Sequence, residues 1–117
     1  MRIRKRDRGE LIARVKEIIS NAASLRVRLG DISQAVGVSP SHLAATFKKE
    51  ERTTIHQYLV NLRLLRAASL LRGCDDLTTL ALNLGFASQS HFSNAFRRWS
   101  GCPPGTYRAR LRAFGAL

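Results

Sequence analysis

A chain of 117 residues, 44% of them apolar, can bury roughly two thirds of its unfolded surface and needs no disulfide or metal staple to fold. Its 20 Lys and Arg against 8 Asp and Glu leave a formal net charge of +12, more than solubility requires, which points to a polyanion: nucleic acid first, an anionic membrane surface second. No apolar run approaches the ~20 residues of a membrane span, so no membrane segment is expected.

Periodicity predicts helices throughout, with Gly and Pro between periodic segments. Arg14, Lys16 and Glu17 interrupt the apolar stretch after the basic start, so no signal peptide is read there. Asp7 and Glu10 have capping-box spacing and predict a helix from there to about Ala23, with Leu11, Val15, Ile18, Ile19 and Ala22 on one face. A short helix is expected over Leu29 to Val36, ended by Gly37. Pro40 then suits the first turn of a third helix running to about Glu50, with Leu43 and Phe47 turned inward. Thr54 to Gln57 can cap a long fourth helix ending near Arg72, with Gly73 expected in the left-handed position beyond it. A fifth helix follows Asp76, a sixth spans about Gln89 to Trp99, and Pro103-Pro104 opens the last.

The chain repeats itself. Leu29-x-x-Ile32-Ser33-x-x-x-Gly37-Val38 matches Leu77-x-x-Leu80-Ala81-x-x-x-Gly85-Phe86. After the turn, Ser41-His42-Leu43-x-x-x-Phe47-Lys48-Lys49 matches Ser90-His91-Phe92-x-x-x-Phe96-Arg97-Arg98. Matched Gly, Ser, His and paired cations go beyond what two unrelated helical hairpins share, and the unit they imply is helix, Gly-bearing turn, helix. With Leu43 and Phe47 inward, Ser41, Ala44, Ala45 and Lys48 face outward and Lys49 flanks them. With Phe92 and Phe96 inward, Ser90, Ser93, Asn94 and Arg97 face outward, flanked by Arg98. Small residues at a helix start let it enter a major groove, Ser and Asn can meet base edges, and the cations beyond can hold phosphates. The connecting helix would span about 27 Å, which with the hairpin widths can bring the two reading helices near one DNA turn apart, about 34 Å.

These residues carry a family resemblance. Tyr58-Leu59-x-x-x-Arg63-Leu64-x-x-Ala67-x-x-Leu70-Leu71 resembles the linker helix of AraC-family regulators. The stretch from Leu77 to Phe96 resembles the family's second helix-turn-helix, and Gly101-x-x-Pro104-x-x-Tyr107-Arg108 its closing motif. The resemblance implies an all-α fold of about seven helices, two helix-turn-helix subdomains joined by a long linker helix. Residues 1–53 would hold the N-terminal helix and first unit, 54–73 the linker, and 74–117 the second unit and closing helix. It also implies a sequence-specific transcription regulator that places two recognition helices in successive major grooves. The residues facing bases would be Ser41, Ala44 and Ala45 in the first unit and Gln89, Ser90, Ser93 and Asn94 in the second, with Lys48, Lys49, Arg97 and Arg98 at the same interface. Arg63, Tyr107 and Arg108 would be structural. The chain departs from the family in three places: Arg52 stands where Gly is usual, Ser33 replaces a small Ala, and the second helix carries Gly30 without a capping side chain. A left-handed cap at Arg52 would cost about 1 kcal/mol, which favours a different turn there.

The expected partner is double-stranded DNA, with RNA polymerase as a further partner; the domain is expected to act as a monomer in the bacterial cytoplasm, at the nucleoid. The alternative is a DNA-binding module of a larger ligand-sensing regulator or of a DNA-repair protein whose other domain is absent. No enzyme, cofactor or metal is expected. Cys74 and Cys102 form no CxxC pair and read as reduced thiols, Cys74 falls where a helix dipole disfavours a thiolate, and the three His lack metal-ligand spacing. The cations spread over several helices, whereas a membrane-surface protein concentrates them on one amphipathic helix.

Overall fold

Apolar residues at helical spacing set the architecture. A computed structural model describes residues 5–22 and 26–115. Among these the order is α1 (Lys5–Asn21), α2 (Leu29–Val36), α3 (Pro40–Glu51), α4 (Ile55–Leu70), a 3₁₀ turn (Leu71–Gly73), α5 (Leu77–Asn83), α6 (Gln89–Ser100) and α7 (Pro104–Gly115). The chain forms two compact units, Met1–Val60 and Asn61–Leu117, and α4 contributes residues to both.

In the first unit α1 buries Ile12, Val15 and Ile19 against Ile32 of α2 and Leu43 and Phe47 of α3, and α4 adds Ile55 and Leu59. In the second unit Leu64, Ala67 and Leu71 repeat the spacing of Ile12, Val15 and Ile19, and the core is completed by Leu80, Phe86, Phe92 and Phe96. The repeat extends beyond the hairpins. Phe47 meets Tyr58 edge-on with centroids 5.5 Å apart, and Phe96 meets Tyr107 edge-on at 5.2 Å. Each tyrosine thus pins the helix that follows its hairpin onto the hairpin's central phenylalanine. Truncating either phenylalanine to Ala would cost about 3–5 kcal/mol.

Local capping explains most boundaries. Ser39 Oγ accepts from His42 N at 3.2 Å, Ser88 Oγ from His91 N at 3.1 Å and Thr54 Oγ1 from Gln57 N at 3.0 Å. Asp76 caps α5 through Oδ1, which accepts from Thr78 N and Thr79 N, and Oδ2, which accepts from the Thr79 hydroxyl. Gly37 and Gly85 have positive φ, +75° and +97°, as the Gly-bearing turns require. Arg28, the N-cap of α2, makes no capping side-chain bond, and the buried Ser33 donates its hydroxyl to the Gly30 carbonyl at 2.9 Å.

Four expectations are corrected. Asp7 is not a cap: α1 already runs through it from Lys5, and its carboxylate instead sits in the first turn, where the helix dipole favours a negative charge. The helix ends at Asn21; Ala23 lies outside the described residues. Gly73 is not left-handed, since α4 tightens into the 3₁₀ turn and Cys74 N donates to Leu71 O at 3.1 Å. Beyond that turn the closing helix holds the chain: Arg112 Nε donates to the Arg72 carbonyl at 3.0 Å, and Arg108 and Arg112 both donate to the Cys74 carbonyl. Arg52 does keep the left-handed turn, with φ 59° and ψ 21°.

Candidate nucleic-acid interface

In the first unit, α3 buries Leu43, Thr46 and Phe47, which turns the stripe Ser41, Ala45 and Lys48 directly outward. Ala44 and Lys49 are exposed on either side of it. Ala44 borders a cleft of about 400 Å³ that is also lined by Leu29, Thr54, His56 and Leu59, so it sits at the edge of the exposed face and not at its centre. The acidic residues of α3 are drawn away from that face. Glu50 Oε1 accepts from Arg8 Nε at 2.7 Å, and Glu51 pairs with Lys16 at 2.6 Å, both toward α1. Lys48 and Lys49 have no ion pair among the described residues, which leaves the outward side of α3 net positive.

In the second unit, α6 buries Phe92, Ala95 and Phe96 and turns Ser90, Asn94 and Arg97 outward, in the register of Ser41, Ala45 and Lys48. Ser93 is half-buried at the edge, the counterpart of Ala44. Asn94, Arg97, Arg98 and Gly101 surround an open hollow of about 520 Å³. No acidic residue lies on α6, and Arg97 and Arg98 have no ion pair among the described residues. Gln89, the first residue of α6, accepts at Oε1 a hydrogen bond from the Thr78 hydroxyl of α5.

The structure thus brings Ser41, Ala45 and Lys48 together on one helix and Ser90, Asn94 and Arg97 on another, with Lys49, Arg98, Ala44 and Ser93 at the edges and Gln89 at the entry of α6. Sequence reading missed Thr78 and Arg112. No pattern in the sequence marks either, since Thr78 meets Gln89 across two helices and Arg112 reaches carbonyls far along the chain. The supporting residues sit inward of the face. Arg63 lies over the Phe86 ring at 5.7 Å, Tyr107 on Phe96, and Arg108 Nη1 donates to the Cys74 carbonyl at 2.9 Å. The pKa of Asp76 is lowered, chiefly by the Thr79 hydroxyl and then by the Thr79 and Thr78 N–H groups. Among the described residues no cluster of three or more His, Cys, Asp or Glu could hold a metal, and no helix is long and apolar enough to cross a membrane.

Residues 32–110 match the family model for a helix-turn-helix domain. The chain is 32% identical over 94 residues to the HTH-type transcriptional activator RhaR of Mannheimia succiniciproducens, an alignment covering 80% of this chain and 34% of RhaR. The chain spans about a third of the length of the curated relatives it matches. A solved transcriptional regulator of Chromobacterium violaceum, described as having an AraC-type DNA-binding domain, superposes with a TM-score of 0.79 at 28% identity, over 87% of this chain and 92% of that one. The DNA-binding domain of AdpA, solved in complex with a target DNA, superposes with a TM-score of 0.71 at 25% identity, over 91% and 93%.

Proposed function

Because the chain belongs to the AraC-type helix-turn-helix family, we propose that it is a sequence-specific DNA-binding transcription regulator whose α3 and α6 are its two recognition helices. The observation that carries this reading is the matched register of two exposed, acid-free stripes, Ser41, Ala45 and Lys48 on α3 and Ser90, Asn94 and Arg97 on α6. Each pairs small or amide side chains, which can meet base edges, with a cation one turn further on, which can meet a phosphate. Gln89 and Ser93 belong with the second set and Ala44 with the first, while Lys49 and Arg98 supply flanking phosphate contacts. The likeness to AdpA, whose domain was solved on its target DNA, supports the same use of the fold.

The two helices take successive major grooves, and one chain is enough, since both readers lie on the same polypeptide. Residues 1–53 and 74–117 carry the two readers and 54–73 join them. The chain acts in the bacterial cytoplasm, at the nucleoid, and RNA polymerase is the partner through which binding at a promoter becomes regulation. Selection of bound sites from a random double-stranded DNA library, followed by gel shift of the enriched site, tests this reading. It predicts one enriched site with two separate determined segments; recovery of unrelated sequences would refute it.

A further inference from the structure

We propose that Thr78 is a positioning residue for base recognition: it holds the carbonyl end of the Gln89 amide, leaves the NH₂ end to the groove, and so makes Gln89 a reader of guanine over adenine. The inference rests on the reading of α6 as a recognition helix.

The direction of the Thr78 bond follows from what surrounds it. A threonine hydroxyl in a helix commonly donates to the carbonyl three or four residues back. Thr78 is the second residue of α5, so the residues three and four back, Asp75 and Cys74, precede the Asp76 cap and lie outside the helix, and their carbonyls already accept from arginine. Arg108 Nη1 donates to Cys74 O at 2.9 Å and to Asp75 O at 3.3 Å, and Arg112 Nη2 donates to Cys74 O at 3.0 Å. The neighbouring Asp76 carboxylate already accepts from Thr78 N, Thr79 N and the Thr79 hydroxyl. The Thr78 hydroxyl proton goes to Gln89, and the atom that takes it is Oε1.

That commitment selects a base. Adenine presents an acceptor, N7, beside a donor, the N6 amine, so a glutamine reads it with both ends of its amide. Guanine presents two acceptors, N7 and O6, which need only N–H donors. With Oε1 engaged by Thr78, the free end of Gln89 is a pair of N–H donors. The first unit has no such device. The residues opposite Thr78 and Gln89 in the repeat are Gly30 and Pro40, neither of which carries a side-chain donor or acceptor.

The test is site selection from a random duplex library with the full chain and its Thr78→Val, Thr78→Ser and Gln89→Ala variants, with a thermal melt of each. The expected wild-type result is guanine at one position whose preference Gln89→Ala abolishes. Thr78→Val should move the guanine-to-adenine ratio at that position toward adenine by about fivefold or more. Its melting and its affinity for random DNA should stay at wild-type values, and Thr78→Ser should keep guanine. A site preference unchanged by Thr78→Val, or unchanged by Gln89→Ala, overturns the proposal, as does any wild-type base other than guanine there. Selection of no sequence at all by the wild-type chain would instead sink the DNA-reading function itself.

Discussion

Arg52 closes α3 as Gly101 closes α6: both are left-handed, φ 59° and 94°, and each donates its N–H to the carbonyl four residues back at 2.8 Å. Arg52 is the one non-glycine residue with positive φ among those described. A side chain in that region costs about 1–2 kcal/mol, which the glycine avoids. Arg52→Gly should therefore stabilise the chain, by less than the full strain, because glycine also frees the unfolded chain at a cost of about 0.4–1 kcal/mol. Gly101→Ala should destabilise, by the strain of about 1–2 kcal/mol less the unfolded-state entropy that alanine removes. Nothing lies within 4 Å of a Cβ built there, so the loss would come from the backbone and not from a clash. Urea unfolding of both variants checks the opposite signs.

The Asp76 cap gives a pH signature. Its carboxyl is held below the ordinary carboxylate value by the Thr79 hydroxyl first, then by the Thr79 and Thr78 N–H groups. A depressed folded-state pKa stabilises the fold above the unfolded value of about 3.9, and that contribution is lost as pH falls through the folded value. Asp76→Ala should lower the melting temperature by a constant amount between about pH 5 and 7, and the gap should narrow as pH falls through the depressed folded-state value. A gap that widened on acidification would show that the carboxylate is not the capping group.

Electrostatics should dominate affinity. If about six phosphates are neutralised, log K against log salt should slope near −5. Removing one phosphate contact, as in Lys48→Ala or Arg97→Ala, should make the slope shallower by about 0.9 and weaken binding evenly across sequences. A salt-independent Kd would remove phosphate contact from the account.

Hydrogen-bonded readout should be unequal between the two helices. The outward stripe of α6 offers Ser90 and Asn94 where that of α3 offers Ser41 and Ala45, and an alanine can only pack, for example on a thymine methyl. Asn94→Ala should cost roughly 1–3 kcal/mol and relax one position of the site. Ala45→Ser should change preference less than that, and Ala44→Ser least, because Ala44 borders the cleft at the edge of the α3 face. Competition gel shifts with single-base variants of the selected site measure all three.

What could be read in the sequence was local or repeated. Thr54 caps its own helix through Gln57 N, and the helix expected after Asp76 starts there with Asp76 as its cap; Ser39 and Ser88, not read as caps, do the same through atoms three residues away. The outward stripes followed from the spacing of Leu43, Phe47, Phe92 and Phe96. What stayed hidden depends on partners far along the chain. The expected left-handed Gly73 gave way to a 3₁₀ turn, and the Arg72 and Cys74 carbonyls around it are held by Arg108 and Arg112, 34 to 40 residues further along the chain. The Thr78–Gln89 bond crosses from one helix to the next and has no periodic signature. Asp7 misled because its capping-box spacing with Glu10 is equally compatible with a place inside the first turn. The strain expected to expel Arg52 from the left-handed region was too small, at about 1 kcal/mol, to undo a turn fixed by the packing on either side.

The central claim, one chain reading two segments of DNA, is tested most directly by gel shift on the selected site with base pairs inserted between its two segments. An insertion of about five base pairs turns one segment to the opposite side of the duplex, because a full turn takes about 10.5. Affinity should then drop toward that of a single segment, an insertion of a whole turn should not restore it, and the complex on the intact site should contain one chain. DNA bending can soften the loss at a cost of a few kcal/mol. Equal affinity across the series, or two chains on the intact site, would contradict the account.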